Sequence, residues 1–287
     1  MTKNTDNIIA FMGVAGANAD LACRKSEPYM ETLPCPTFEA VFEAVRDGKA
    51  RLGMLPMENS HAGRVSEIHN LLPEMGLHIV GEYFLPVQHV LAAPEKVEIE
   101  DISEAYSHPQ ALMQCHKTLK DQSISAHAAS NTAVAAQMVK EWADSTKAAL
   151  CSELAAELYG LEVIEPNMQD KDDNITTFIK VSCDMLEEEE LEESSNILTS
   201  IVFELRNMPA ALYKALGGFA TNNVNMLKLE SYVAGGASPT AQFFVTFEGK
   251  PDDAPVQLTL EELGFFTKKI DVLGVYPAAE DRTRFNI

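Results

Sequence analysis

"ISAHAASNTAVAAQMVKEWADSTKAALCSELAAELYG", residues 124–160, is the stretch whose reading decides the fold. Its first seven residues read as a short strand. Asn131 then stands where a helix cap belongs, ahead of the alanine-rich "TAVAAQMVKEWA". "AALCS" (148–152) reads as a second strand, and "ELAAELYG" (153–160) as a helix stopped by its glycine. Strand and helix alternating at this spacing imply an open α/β sheet.

The pattern extends toward the N-terminus. "NIIAFMGV" (7–14) reads as a buried strand and "RLGMLPM" (51–57) as another. Between them "FEAVFEAVRDG" (38–48) places Phe38, Val41, Phe42 and Val45 at helical spacing, with Gly48 as the stop. "SHPQALMQCHKTL" (107–119) predicts one helix, capped by Ser107 or His108 and carrying Pro109 in its first turn. The segments are expected to form two α/β lobes.

Toward the C-terminus the order changes after "DMLEEEELEESSN" (184–196), an acidic run read as a solvated helical face or linker between domains. "ILTSIVFELR" (197–206) reads as a strand and "PAALYKALGGFATN" (209–222) as a helix. "VNMLKLESYV" (224–233) and "TAQFFVTFEG" (240–249) read as strands, "VQLTLEELGFFTKK" (256–269) as a helix and "IDVLGVY" (270–276) as a last strand. That β-α-β-β-α-β order is the ferredoxin-like arrangement. Such domains often pair through their sheets, so an oligomer is expected.

Bulk composition bounds the function. The length of 287 residues fits two domains, and 46% apolar content suffices for their cores. A net charge of −21 argues against nucleic acid or an anionic membrane as partner, because tracking phosphates needs clustered Lys and Arg. The five cysteines (Cys23, Cys35, Cys115, Cys151, Cys183) are scattered and odd in number, which fits reduced, mostly buried thiols. The opening residues carry no export leader and no stretch approaches membrane-spanning length, so a cytoplasmic protein is expected.

Four polar stretches are candidate sites. "GVAGANA" (13–19) lacks the full dinucleotide glycine pattern, and reads as a tight turn whose helix N-terminus offers N–H groups to a carboxylate. "PMENSHAGRV" (56–65) gathers Glu58, Asn59, Ser60, His61 and Arg64 at a strand-to-helix junction. Asn59 and Ser60 serve equally there as a helix cap or as binding groups. "SHPQALMQC" (107–115) has the same geometry and reads first as a cap. "DDNITTFIKV" (172–181) puts adjacent hydroxyls, Thr176 and Thr177, at the start of a strand. No histidine or cysteine spacing suits a metal, and no nucleophile elbow or phosphate-cradling loop is present.

Taken together, "AFMGVAGANADLA", "AVRDGKARLGMLPMENSHAGRV", "SHPQALMQC", "NTAVAA", "AALCSELAAELYGL" and "DDNITTF" resemble prephenate dehydratase, in that family's order and nearly end to end. The C-terminal part resembles an ACT domain, an amino-acid-sensing module. The resemblance implies a catalytic domain over 1–183 of two lobes similar to type II periplasmic binding proteins. An acidic linker over 184–196 and a ferredoxin-like ACT domain over 197–287 would follow.

The implied reaction removes carbon dioxide and a ring hydroxyl from prephenate to give phenylpyruvate, in L-phenylalanine biosynthesis. Aromatisation drives it, and no cofactor is expected. In the family the threonine of an Asn-x-Thr-Arg-Phe motif assists the leaving hydroxyl, which implies Thr176, with Glu58, Asn59 and Ser60 in the catalytic run. Ser107, His108, Gln110, Asn174, Thr177 and Phe178 would contact substrate. The family's arginine is Thr177 here, so a substrate carboxylate needs another cation; Arg64 is preferred over Lys180. Arogenate is an alternative substrate, and an inactive amino-acid sensor an alternative role.

The resemblance also implies L-phenylalanine as allosteric ligand at Ala210, Ala211, Leu212, Glu230 and Ser231. The family has glycine where Ala210 stands and arginine where Tyr232 stands, while the following "AGG" (234–236) is retained. A homodimer or homotetramer is implied.

Overall fold

The computed structural model describes residues 5–192, 194, 196–234 and 240–282. The chain forms two compact units. One comprises Met1–Val41, Met54–Arg64 and Leu85–Phe178, the other Phe42–Gly53, Val65–Phe84 and Ile179–Ile287.

The chain begins with β1 (Ile8–Met12), α1 (Asn18–Ser26), β2 (Glu31–Cys35), α2 (Phe38–Arg46), β3 (Leu52–Asn59), β4 (Gly63–Arg64), α3 (Ser66–Leu71) and β5 (His78–Pro86). Next come β6 (Val90–Ala93), β7 (Glu104–Ser107), α4 (Pro109–Gln114), α5 (His116–Asp121), β8 (Ser125–Ala128), α6 (Thr132–Trp142), β9 (Lys147–Cys151), α7 (Glu153–Tyr159) and β10 (Glu162–Glu165). β11 (Ile175–Ser182) then returns to the first sheet, whose order is β2-β1-β3-β11-β5; β4 pairs with β3. The second sheet runs β10-β6-β9-β7-β8.

Counted from its own first strand, each sheet has the same plan, with one strand inserted from elsewhere in the chain: β11 in the first, β6 in the second. β7 pairs parallel with β8 and β9, whereas the inserted β6 runs antiparallel to β9. This is the α/β arrangement of type II periplasmic-binding-protein lobes that the resemblance implied.

The deciding stretch folds for the reasons its residues supply. Asn131 Oδ1 accepts from Ala133 N at 2.8 Å and starts α6, and Ser152 Oγ accepts from Ala155 N at 3.1 Å and starts α7. Gly160 ends α7 at φ +64°, the left-handed conformation glycine adopts at little cost. Ala133, Ala135, Ala136 and Val139 of α6 pack on Val90, Ala92, Ala149 and Cys151, small residues that let helix and sheet approach closely.

Two element readings are corrected. Residues 107–119 form two short helices, because Asp170 reaches in from another loop. Its carboxylate accepts from Lys117 N and Thr118 N at 2.9 Å each, which supplies a cap where α5 begins. Residues 267–269, expected to be helical, open the last strand; Thr267 pairs with Leu205 in the ladder.

The rest of the chain adds α8 (Glu188–Glu192), β12 (Ile197–Leu205), α9 (Ala211–Thr221), β13 (Met226–Ala234), β14 (Thr240–Glu248), α10 (Ala254–Phe266) and β15 (Thr267–Pro277). The acidic run is therefore partly helical, anchored by the buried Leu191. The third sheet is antiparallel in the order β13-β14-β12-β15, the expected α+β ferredoxin-like plan. Ile201, Phe203, Phe243, Val245 and Phe247 pack under Phe219 of α9 and Leu263 of α10.

The opposite face of this sheet is buried too. Ser200 Oγ bonds the Thr246 and Tyr276 hydroxyls at 2.8 Å each, and Gly274 lies against the Ile79 backbone. Arg282 pairs with Glu82 at 2.6 Å, both buried.

Of the cysteines, Cys23, Cys35, Cys115 and Cys151 are buried and Cys183 is exposed, all as free thiols. Among the described residues no helix is long and apolar enough to cross a membrane.

Candidate active site

The glycine-rich loop at 13–19 spends N–H groups within the chain. Gly16 N donates to Asp20 Oδ2 at 2.8 Å, so the carboxylate it meets is the chain's own, and Arg24 Nε lies 3.0 Å from the other oxygen. Ser152 Oγ donates to Gly16 O and Tyr159 OH to Ala15 O, which tie the loop to α7. At φ +84°, a Cβ on Gly16 would stand 2.9 Å from Ala155 Cα, so the glycine is there for close packing. The Gly16 N–H thus meets a carboxylate of the chain itself, and the turn has a packing role.

Residues 56–65 form a tight hairpin, where a strand-to-helix junction was expected. Glu58 pairs with Arg64 and Asn59 with Gly63 across β3 and β4. α3 begins only at Ser66, after Val65 as its cap residue, so neither Asn59 nor Ser60 caps a helix. Asn59 Oδ1 accepts from His61 N at 3.1 Å and Ala62 N at 3.0 Å, which closes the turn. Ser60 Oγ donates to Asp173 O at 2.8 Å and accepts from Ile175 N at 3.0 Å. The Ser60 hydroxyl is therefore spent latching the hairpin to the start of β11. Beside it, His61 Nε2 meets Asp173 Oδ1 at 2.8 Å, and that hydrogen bond holds the Asp173 carboxyl below the usual carboxylate range.

Two backbone amides set the direction of an entire side-chain network. A backbone N–H can only donate, so the Asn59 atom facing His61 N and Ala62 N is its oxygen. Its Nδ2 must then point at Asn174 Oδ1 (2.7 Å) and Thr176 Oγ1 (2.9 Å). With Asn174 Oδ1 so engaged, Asn174 Nδ2 donates to Gln114 Oε1 at 2.8 Å. The same Gln114 oxygen faces His89 Nε2 at 3.2 Å, so that ring nitrogen carries the proton. Burial pushes the His89 pKa down, with the Gln114 hydrogen bond acting in the opposite direction. Thr176 Oγ1 thus accepts from Asn59, and its own proton remains to be donated elsewhere.

A pocket of about 860 Å³ opens beside this network, within the range of small-molecule sites. His61 and Ala62 of the hairpin, His108, Pro109, Gln110, Met113 and Gln114 of α4, and Asp170, Lys171 and Asn174 line it. Two of the expected stretches therefore meet the loop before β11 at one site. His108 serves as both cap and lining group: its Nδ1 accepts from Gln110 N at 3.3 Å.

Other expected residues sit elsewhere. Ser107 is fully buried and donates to Leu150 O at 2.5 Å. Phe178 is a core residue at 2% exposure, and Thr177 is buried on the opposite side of β11 from Thr176, as strand alternation requires. Glu58 and Arg64 face one another in the hairpin ladder and, like Asn59, Ser60 and Thr176, are not among the residues that line the pocket. Lys180 lies over Gly81 of β5.

The lining cation is Lys171, which the sequence reading passed over. Gln114 and His89 were also missed. Gln114 carries a signal in the sequence, as the amide one turn beyond Gln110. Nothing in sequence marks His89, whose role comes from a contact made across the fold.

In the C-terminal part, Ala210 precedes α9 at φ +57° and ψ +31°, with Ala211 and Leu212 in the first turn. A left-handed backbone at this position gives the family's glycine a conformational reason. Glu230 and Ser231 lie on β13, opposite Phe244 and Phe243. Tyr232 is buried with its ring edge-on to His69 at 6.0 Å. Gly235 and Gly236 lie outside the described residues.

Comparison with known proteins agrees with this fold. Residues 9–185 match the family described as Prephenate dehydratase. A bifunctional N-acyl-homoserine lactone acylase/prephenate dehydratase of Komagataeibacter europaeus is 43% identical over 98% of this chain and 99% of its own. Arogenate dehydratase/prephenate dehydratase 2 of Arabidopsis thaliana, a chloroplastic protein, is 38% identical over 94% of this chain and 72% of its own. The solved structure of prephenate dehydratase in complex with L-Phe from Arthrobacter aurescens superposes with a TM-score of 0.82 at 26% identity, covering 94% of this chain and 89% of that one. With a matching family, near-full-length relatives and the same fold, this chain belongs to the prephenate dehydratase family.

Proposed function

We propose that this protein is a prephenate dehydratase whose leaving-group donor is Thr176. The single observation that carries the reading is the direction of the Asn59–Thr176 hydrogen bond, which leaves the threonine proton unspent. In the reaction the bond from the ring to its carboxylate breaks, carbon dioxide departs, and the electron pair enters the ring. The ring carbon–oxygen bond breaks with its pair going to oxygen, which gains a proton and leaves as water. A neutral hydroxyl accelerates this step when its hydrogen bond strengthens as charge grows on the departing oxygen.

His108 and Gln110 supply neutral polar groups for the substrate's oxygens. Lys171 on the pocket wall is the cation that meets its carboxylates, with Arg64 of the neighbouring hairpin as the alternative. Residues 1–183 form the catalytic part, 184–196 the linker, and 197–287 an ACT domain. The ferredoxin-like sheet supports that last assignment. L-phenylalanine binds at Ala210–Leu212 and Glu230–Ser231, and the active species is a homodimer or homotetramer.

Steady-state turnover of the purified protein on prephenate and on arogenate, with and without L-phenylalanine, tests the reading. Turnover of prephenate that falls as L-phenylalanine is added is expected. Preference for arogenate would move the assignment to the neighbouring dehydratase activity. L-phenylalanine binding without turnover of either substrate would make the protein a sensor.

The Komagataeibacter relative favours a second activity worth the same assay. Its name joins prephenate dehydratase with N-acyl-homoserine lactone acylase, at 43% identity over nearly its whole length. Release of homoserine lactone from an N-acyl-homoserine lactone by the purified chain would support a shared activity here.

A further inference from the structure

We propose that His89 is a positioning residue that, through Gln114, holds the Asn174 carbonyl oxygen toward Asn59 Nδ2, so that Asn59, whose own orientation the hairpin amides fix, keeps its acceptor beside Thr176. The inference rests on the prephenate dehydratase reading and extends it from Gln114 on the pocket wall to His89 behind it. The hydrogen-bond chain runs from His89 Nε2 to Gln114 Oε1 at 3.2 Å, from Asn174 Nδ2 to the same oxygen at 2.8 Å, and from Asn59 Nδ2 to Asn174 Oδ1 at 2.7 Å.

An asparagine amide flips at little intrinsic cost, since its oxygen and nitrogen ends have nearly the same shape. At the hairpin end, two backbone donors prevent the flip of Asn59. At the far end, a neighbour that presents a donor reinforces the same polarity at Asn174 and Gln114. His89 supplies that polarity. With its proton on Nε2, it presents a donor to Gln114 and rejects the amide's NH2. The opposite tautomer would accept that NH2, turn Gln114 round and bring two NH2 groups face to face at Asn174.

The surroundings of His89 keep the ring in place. The residue is 2% exposed, its backbone N donates to Gln169 Oε1 at 3.1 Å, and Met168 N donates to its carbonyl at 2.8 Å. Its Nδ1 finds no hydrogen-bond partner among the described residues. That leaves Gln114 as the group toward which the ring proton is directed. Burial lowers the pKa of the ring, which keeps it neutral and the donor single. His89 does not line the pocket, so it acts only through Gln114 and Asn174.

The test compares His89→Gln, whose amide NH2 can replace the Nε2 donor, with His89→Met, which removes it. On prephenate, His89→Met is expected to lower kcat about ten-fold, on the order of one hydrogen bond, with KM changed less than about two-fold. His89→Gln is expected to restore kcat to within about three-fold of the unmodified enzyme. Equal kcat for the two variants, whether both lowered or both unchanged, would overturn the proposal. A second measurement does not depend on turnover. Nitrogen-15 spectra of the histidine rings in the unmodified full chain, with His89 assigned by its loss in His89→Gln, are expected to show the neutral tautomer protonated on Nε2. A proton on Nδ1 would overturn the proposal even if the enzyme is active. Absence of turnover with the Nε2 tautomer present would sink the dehydratase reading and leave the hydrogen-bond polarity standing.

Discussion

Thr176 and Thr177 show how adjacent hydroxyls acquire different surroundings. Thr176 accepts from Asn59 Nδ2 at 2.9 Å, whereas Thr177 turns into the buried side of β11 at 8% exposure. Thr176→Ala should therefore reduce kcat about 10²-fold or more, the scale of one hydrogen-bond donor aimed at developing charge. Thr177→Ala should leave kcat within a few-fold and be felt as lost packing. Comparable kcat losses would put the donor on the wrong residue. The two cations separate in the same way. Lys171→Met should raise KM for prephenate about ten-fold, the effect of losing one charged hydrogen bond at a solvent-accessible wall. Arg64→Met, removed from the ladder position opposite Glu58, should raise it less. A larger KM effect at Arg64 would return the carboxylate to the hairpin. At Ala210 the strain is in the backbone, at φ +57°. Ala210→Gly should raise unfolding free energy by roughly 0.5–1 kcal/mol, because glycine escapes the left-handed penalty but gives back chain entropy. A denaturant titration decides it.

Among the elements, β15 lies close against β5. A Cβ on Gly274 would stand 2.1 Å from the Ile79 carbonyl oxygen, a backbone atom that cannot rotate aside. Gly274→Ala should destabilise by about 3 kcal/mol, through forced separation of the two strands. Unchanged stability would mean that the strands part easily. The elements also show what was legible in the sequence. Strong alternation and caps announced β1, α2, α6, β9, α7 and the whole β12–β15 series, because their signals are local. The short β2, β7 and β10 carry no such signal, and α3 is a six-residue helix without a capping side chain. The break between α4 and α5 was hidden for another reason. Asp170 makes it, from 50 residues and more along the chain.

At the scale of the molecule, the long-range pair of Glu82 and Arg282 carries a stability cost of its own. Both are buried, Arg282 Nε and Nη2 lie 2.8 and 2.6 Å from the two carboxylate oxygens, and Ala279 N adds a third donor at 3.1 Å. Glu82→Ala would leave a guanidinium buried without its counter-charge. It should lower stability by about 3–5 kcal/mol, visible as a lower thermal midpoint. The double variant Glu82→Met/Arg282→Met should recover much of that loss. A double variant as unstable as Glu82→Ala would mean that the carboxylate matters for the backbone it caps rather than for the arginine.

The chain's own order of residues determined the family motifs, the alternation of strand and helix, the ferredoxin-like order at the C-terminus and the identity of the threonine pair. All of these are written in neighbouring residues, where spacing, caps and hydrophobic period act directly. The tertiary structure alone decided that Ser60 is a latch, that Thr177 is the one of the pair turned into the core, that Lys171 and Gln114 border the pocket, and that His89 ends the hydrogen-bond chain. Hydrogen bonds and burial at these positions join residues far apart in the chain, such as Asn59 to Asn174 and Gln114 to His89. Their polarity follows from which donor ends up opposite which acceptor, and only the folded chain brings those partners together.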